Sequence, residues 1–283
     1  MISKLDEYIN RVQHFPPAPQ ILAQLLLLLG KPDIDSGRMV DLIAYDPGLT
    51  AKLLQVSNSA AFAGSNPVAD LQEAVTRIGF RRICQIVAAF SGSRALSMGK
   101  KGDDAEGAEL WKHSVVTAVA AELIARDCGV DESLAFTAAL LHDIGKAVLA
   151  EGLGQQYSQV VEEAAEQQQS LLEAEKKVLG VQHAEIGGRL LARWKFPASL
   201  VAGVWFHHHP ATAEPHHKLA SCVYLGNLIA YVIGDGNGRN PLALRARSLA
   251  LDILGVEGNA LPGYMAQTYE NYATVDAFIR MQE

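Results

Sequence analysis

Cysteine is scarce in this chain, and none of it is arranged for chemistry. Cys84, Cys128 and Cys222 are the only three among 283 residues, widely spaced, odd in number and outside any CxxC motif. That excludes a disulfide framework and reads as reduced core thiols of an intracellular protein. Long hydrophobic runs are missing too. The greasiest stretch, Ile21 to Leu29 (ILAQLLLLL), falls far short of the roughly 20 residues that span a bilayer. The opening MISKLDEYINRVQHFPP lacks the apolar core of a signal peptide. A cytoplasmic protein with no membrane attachment is therefore expected. Positive charge is also short, with 24 Lys and Arg against 31 Asp and Glu and a net charge of −7. Non-specific attraction to phosphate backbones does not suit that balance, so nucleic acid is not an expected partner. Alternating strand patterns are hard to find, and no fixed-period repeat or low-complexity tail stands out.

What is present is apolar and helical. The chain is 49% hydrophobic, enough for one large domain or two modest ones with real cores. Apolar residues recur at i, i+3, i+4 and i+7 over 20–29, 37–45, 48–57, 70–78, 82–94, 109–126, 132–143 and 155–178. The pattern continues over 183–194, 198–208, 217–233 and 241–254. Asp46-Pro47 opens one helix, while Gly30, Gly79, Gly129 and Gly145 stop others. The fold class read from this is all-α: a multi-helix bundle with an N-terminal helical lobe packed on it. MGKKGDDAEGA, residues 98–108, is the clearest linker. It separates an N-terminal lobe, 1–100, from a C-terminal lobe, 105–283. The polar stretch EEAAEQQQSLLEAEKK (162–177) reads as a solvated helix or helical pair.

Histidine is the residue with a pattern. Glu109 and His113 stand four apart, so on a helix they share one face. His142 and Asp143 follow the run AFTAALL and precede Gly145, at the C-terminal end of a buried helix. His183 opens HAEIGGRLLARW, and His207-His208 close ASLVAGVWF. Neutral imidazoles and carboxylates are the usual ligands of Zn, Mn, Fe or Ni, and a hydrolytic site needs several of them plus a place for water. A single histidine at a helix C-terminus is equally explained by the helix dipole, and His209, His216 and His217 are given no role. Four ligand-type side chains ending two otherwise apolar helices are harder to explain that way.

The blocks HSVV, LLHDIGK, HAEIGGRLLARWKFP and FHH resemble the HD superfamily of metal-dependent phosphohydrolases. The N-terminal blocks FPPAPQILAQLLLLL, DPGLTAKLLQVSNSAAF and LQEAVTRIGFRRICQIV narrow the likeness to the HDOD family, a bacterial signalling relative, over roughly residues 12–235. The resemblance implies metal-ligand positions at His113, His142, Asp143, His183, His207 and His208, with Glu109 as an additional one. It places Lys146 near the phosphate, and Lys146 and Asp143 as the candidate catalytic pair. The superfamily's closing aspartate aligns with Asn227, whose amide keeps a ligating oxygen and loses the charge. One divalent transition metal ion (Fe, Mn, Ni or Zn) is thus expected in preference to two. The glycine-rich loop of the HD-GYP phosphodiesterases, needed for cyclic dinucleotide hydrolysis, is replaced by HHHPATAEPHH.

In the N-terminal lobe, Asp46-Pro47-Gly48-Leu49-Thr50 reads as a helix start, Asn58-Ser59 as a helix end, and Arg81-Arg82 as a solvated helix start. The leading functional expectation is a signalling module that binds a partner protein or a small phosphorylated ligand and retains a metal-type pocket. The alternative is a working metal-dependent phosphohydrolase. Apolar stripes on both lobes call for mutual burial, with the pocket roofed partly by N-terminal residues.

Overall fold

The computed structural model describes residues 4–12, 20–29, 36–44, 46–59, 62, 68–96, 105–233 and 247–271. Among these the secondary structure is helical, with no strand, as the periodicity predicts. The N-terminal helices are α1 (Lys4–Arg11), α2 (Gln20–Leu29), α3 (Ser36–Ala44), α4 (Pro47–Ser57), α5 (Leu71–Ile78) and α6 (Phe80–Leu96). Then come α7 (Ala105–Asp127), α8 (Glu132–Leu141), α9 (Ile144–Leu153), α10 (Gln155–Glu166), α11 (Leu171–Leu179) and α12 (His183–Arg193). The series ends with α13 (Ala198–Trp205), α14 (His217–Val232), α15 (Arg247–Leu254) and α16 (Leu261–Glu270). Residues 98–104 of the expected linker, Gly30, and 241–246 of the last expected helix lie outside the described residues.

Local chemistry explains the helix ends. Asp46 Oδ1 accepts from Leu49 N at 3.0 Å, Asp70 Oδ1 from Glu73 N at 2.8 Å, and Asp131 Oδ1 from Leu134 N at 2.9 Å. Each satisfies an orphan donor of a first turn, a contribution of about 1 kcal/mol. Asn58 holds the chain end after α4 in place. Its Oδ1 accepts from Val68 N at 2.7 Å and its Nδ2 donates to Val68 O at 2.8 Å, so its bonds stay within the N-terminal segment. The stretch 155–178 is two helices, α10 and α11, with a turn between them.

One contiguous apolar core runs from Tyr8 and Leu22 through Ile86, Trp111, Phe136 and Leu140 to Ile229 and Tyr264. Its centre is α7, α8 and α14, packed side by side, with α12 and α13 leaning on α8 and α9. The N-terminal helices join it through α6, which lies on α7 and α8, and through α1, which packs on α9 and α12. Arg81 at the start of α6 pairs with Glu132 at 2.5 Å, and Arg126 meets the same carboxylate at 3.2 Å. Deeper in that interface Gln85 Nε2 donates to the buried Glu122 Oε1 at 2.6 Å. The three cysteines are free, and burial pushes the Cys84 thiol up to about 12, which leaves it protonated and unreactive.

Two glycines set helix approaches that matter for the site. A Cβ on Gly145 would stand 1.9 Å from the His183 carbonyl oxygen, and one on Gly226 would stand 2.6 Å from the Thr117 carbonyl oxygen. So α9 touches the start of α12, and α14 crosses α7, at backbone-to-backbone distance. The apolar stretch Glu132–Leu153 is 22 residues long and mostly buried inside the fold, where the turn at His142-Asp143 divides it into α8 and α9.

Candidate metal centre

The helix junctions bring six of the predicted side chains into one buried cluster. His113 comes from α7, His142 and Asp143 from the α8–α9 turn, His183 from the start of α12, and His207 and His208 from the turn after α13. All six are buried, none more than 6% exposed. Their candidate ligand atoms form two sets of three, His113 with His142 and Asp143, and His183 with His207 and His208. Within each set these atoms lie within 4.8 Å of one another. Asp143 connects the sets, with Oδ1 at 3.3 Å from His183 Nε2 and 3.9 Å from His207 Nε2. Its Oδ2 lies 3.3 Å from His142 Nε2.

The same device aims two of the histidines. His142 Nδ1 lies 2.6 Å from the Ala139 carbonyl, and His207 Nδ1 lies 2.7 Å from the Val204 carbonyl. A carbonyl can only accept, so each Nδ1 carries a proton, and in the neutral imidazole each Nε2 presents a lone pair. The acceptors are carbonyls three residues back at helix ends, groups that have no intrahelical donor of their own. This is a physical reason for placing both histidines immediately after apolar helices. His142 Nε2, His207 Nε2 and Asp143 Oδ1 are all buried without a hydrogen-bond partner. Leaving three such atoms unpaired costs free energy that a bound cation would recover. This donor set fits a divalent transition metal.

Asp143 stands at the N-cap of α9 but makes no capping bond. Its Oδ2 instead accepts from Lys146 Nζ at 2.5 Å. Burial pushes the Asp143 carboxyl up, yet His142 and Lys146 outweigh that and hold it well below the usual carboxylate range. Burial acts downward on Lys146, and Asp143 reverses it, so the ammonium is retained. Burial also pushes His207 and His208 down, helped by His142 and by His207 respectively, which keeps both imidazoles neutral and able to ligate.

Glu175 is the residue that sequence reasoning missed. The stretch 162–177 read as solvated, but Glu175 is fully buried behind His183. Its Oε2 accepts from His183 N at 2.9 Å and from His183 Nδ1 at 2.8 Å, and its Oε1 accepts from Tyr157 Oη at 2.7 Å. A signal was available: Leu171, Glu175 and Leu179 lie on one helical stripe whose other two members are buried leucines. Desolvation acts downward on His183, and Glu175 overrides it and raises the imidazole. His183 Nε2 and His208 Nε2 are 3.0 Å apart, so the two lone-pair positions can share a proton or a cation but cannot both be empty.

Two predicted residues stand apart from the triads. Asn227 is buried on α14, and its Oδ1 lies 2.9 Å from His113 Nε2, the position the resemblance gives to a ligating carboxylate. Glu109 is exposed, one turn before His113, and belongs to neither set of three. The N-terminal helices reach the elements that carry the site, with α1 packed on α9 and α12 and α6 on α7, α8 and α9.

A buried set of histidines and one aspartate at helix ends, inside an all-α bundle, defines a helical protein with a candidate metal centre. Within that class the family is specific: the HDOD domain matches residues 15–210, and the chain belongs to the HDOD domain family. An uncharacterised protein of Treponema pallidum is 28% identical over 244 residues, 85% of this chain and 46% of that protein. Ribonuclease Y of Thermus thermophilus is 32% identical over 108 residues, 38% of this chain and 14% of the enzyme. The chain thus spans less than half the length of these curated relatives. Among solved structures, an HDOD domain protein of unknown function from Geobacter sulfurreducens superposes with a TM-score of 0.78 at 22% identity, covering 100% of this chain and 98% of that one. A candidate phosphohydrolase from Shewanella amazonensis gives 0.75 at 24% identity, covering 99% and 98%. At these identities the likeness carries the fold alone.

Proposed function

We propose that this protein is a regulatory module of the HDOD family whose C-terminal bundle holds a divalent transition metal and, beside it, a small phosphorylated ligand or a signalling partner. The observation that carries this reading is the trio of buried, unpartnered ligand atoms, His142 Nε2, His207 Nε2 and Asp143 Oδ1. Hydrogen bonds behind the two imidazoles already fix their tautomers. His142 and Asp143, with His113, would hold one ion, and His183, His207 and His208 offer a second set. Asn227 in place of a carboxylate lowers the site's negative charge, which favours one ion over two. A bound divalent ion would act as a Lewis acid toward a phosphoryl oxygen or a water. The chain's own part is to fix the donors, exclude water from them and retain the Lys146 ammonium at the edge.

Elemental analysis of full-length protein purified without chelator or histidine tag tests this. Fe, Mn, Ni or Zn is expected in the parent and absent from a His142→Ala/Asp143→Ala double variant. Equal metal content in both would sink the reading. A second reading, a working phosphohydrolase, is favoured by Lys146, whose side chain is 17% exposed against 1% for Asp143, at the place where a phosphate could enter. Turnover of a phosphate ester that is lost on His142→Ala would select it.

A further inference from the structure

Helix α1 is only eight residues long, yet polar contacts hold both of its flanks. Tyr8, Ile9 and Val12 are buried in the core. On one flank Asp6 and Asn10 meet Arg189 and Arg193, and each pair stands one helical turn apart. Arg189 Nε and Nη2 donate to the two Asp6 oxygens, both at 2.9 Å, and Arg193 Nη1 donates to Asn10 Oδ1 at 2.7 Å. On the other flank Lys4 and Tyr8 meet the turn between α11 and α12. Tyr8 Oη donates to the Leu179 carbonyl at 3.2 Å, and a Cβ on Gly180 would stand 2.7 Å from Lys4 Nζ. The end of α9 closes the third side, where a Cβ on Gly152 would lie 3.4 Å from the Tyr8 carbonyl oxygen.

The three elements that α1 touches each carry part of the metal centre. Asp143 and Lys146 stand at the start of α9, Glu175 lies on α11, and α12 opens on His183. Helices α9 and α12 meet at backbone distance at Gly145. That approach and the α11–α12 turn together place His183 Nε2 at 3.3 Å from Asp143 Oδ1. Leu179 ends α11, just before the turn that leads into His183. Its carbonyl belongs to a final helical turn, whose carbonyls have no intrahelical donor, and Tyr8 supplies one from 171 residues away in sequence. The Asp6–Arg189 pair is partly exposed, 22% and 44%, and such pairs contribute little on their own. The Tyr8 bond is buried, and deleting its hydroxyl strands a buried acceptor. We propose that α1 is a clasp on the α11–α12 turn, with Tyr8 as the positioning residue that holds His183 toward Asp143, so that the chain's first helix sets how tightly the bundle retains its metal. This rests on the reading of the histidine cluster as a metal centre.

Tyr8→Phe keeps the ring and deletes only the hydroxyl. Tyr264→Phe is the control, because it deletes a comparable hydroxyl bond, to Asp127 at 2.9 Å, at the end of α7 remote from His113. Manganese affinity of the full-length proteins is measured by chelator competition, with hydrogen exchange over residues 179–186 followed in the metal-free state. Losing a direct partner of a metal-ligating histidine costs about 10–100-fold in affinity, so a group one link further out should cost roughly 3–10-fold. Tyr8→Phe is expected to show that loss together with faster exchange over 179–186, and Tyr264→Phe neither. If the parent and Tyr8→Phe bind manganese alike, the clasp is overturned and the metal reading stands. If Tyr264→Phe weakens manganese binding as much as Tyr8→Phe does, the effect is one of general stability and the clasp is likewise overturned. A parent that binds no manganese would overturn the metal reading and the clasp together.

Discussion

Gly145→Ala adds one methyl group at the contact that joins the two halves of the metal centre. The new Cβ would lie 1.9 Å from the His183 carbonyl oxygen, 2.7 Å from its carbonyl carbon and 2.9 Å from Gly187 N. All three are backbone atoms of the α12 start, so no side-chain rotation relieves the clash. Restoring the shortest tolerable separation, 3.0 Å, requires α9 and α12 to part by about 1.1 Å at that point. Overpacking costs about 1–3 kcal/mol, and a backbone collision belongs at the upper end. The helix propensity gained by replacing glycine returns about 1 kcal/mol. A net loss of about 2 kcal/mol corresponds to a melting temperature lower by roughly 4–8 °C for a chain of this size. The same displacement carries His183 away from Asp143, now 3.3 Å away, and should weaken metal binding on the order of 10–100-fold. Gly187→Ala is the milder internal comparison, because its Cβ would meet side-chain atoms of Ile144 and Val204 at 3.1 and 3.2 Å and Gly145 N at 3.3 Å, with no approach under 3.0 Å. Calorimetry and metal titration of both variants check the argument. A Gly145→Ala protein that melts and binds metal like the parent would refute it.

Glu175→Gln keeps an oxygen for His183 and removes the charge. Metal affinity should fall about 10–100-fold, measured by chelator competition, with a change under twofold counting against the carboxylate's role. Glu122 is buried and its carboxyl is pushed up, by desolvation first, with Arg82 and Gln85 opposing. Its folded state therefore binds a proton more readily than the unfolded chain, and stability falls as pH rises from the unfolded value through the raised one. Glu122→Gln should thus gain on the parent at pH 7 relative to pH 4 in urea unfolding, and a gain that grows toward acid would contradict the sign. Cyclic di-GMP should not be cleaved at about 1 per second or faster, since HHHPATAEPHH stands where the glycine-rich loop would be and Asn227 replaces a carboxylate. Linear product at that rate would reverse this expectation.

The fold class was legible because apolar spacing dominates secondary structure when helices are long and buried, as α7 and α14 are. Boundaries came within a few residues wherever an Asp cap or a helix-ending glycine stood. Helices α1, α9 and α16 were not read from the pattern; for α9 the reason is Gly145, which read as a helix stop and stands instead in that helix's first turn. For the site, adjacency in sequence revealed His142-Asp143 and His207-His208, and the family likeness supplied His113 and His183. Glu175 remained hidden because it sits among lysines and glutamates that suggest solvent, and only packing shows that it supports an imidazole.

The break between α8 and α9 has a meaning beyond ligand geometry. By length and composition Glu132–Leu153 could cross a membrane, with a mean hydropathy of 1.3 over its best window. Near its middle sit His142 and Asp143. A carboxylate at the centre of a spanning helix opposes insertion by about 2.5–3.5 kcal/mol, so the ligand pair also makes this stretch a poorer spanning segment than its length and composition suggest. Replacing both residues with leucine would remove that opposition along with the ligands. Asparagine, isosteric with Asp143 and still polar, separates the two effects.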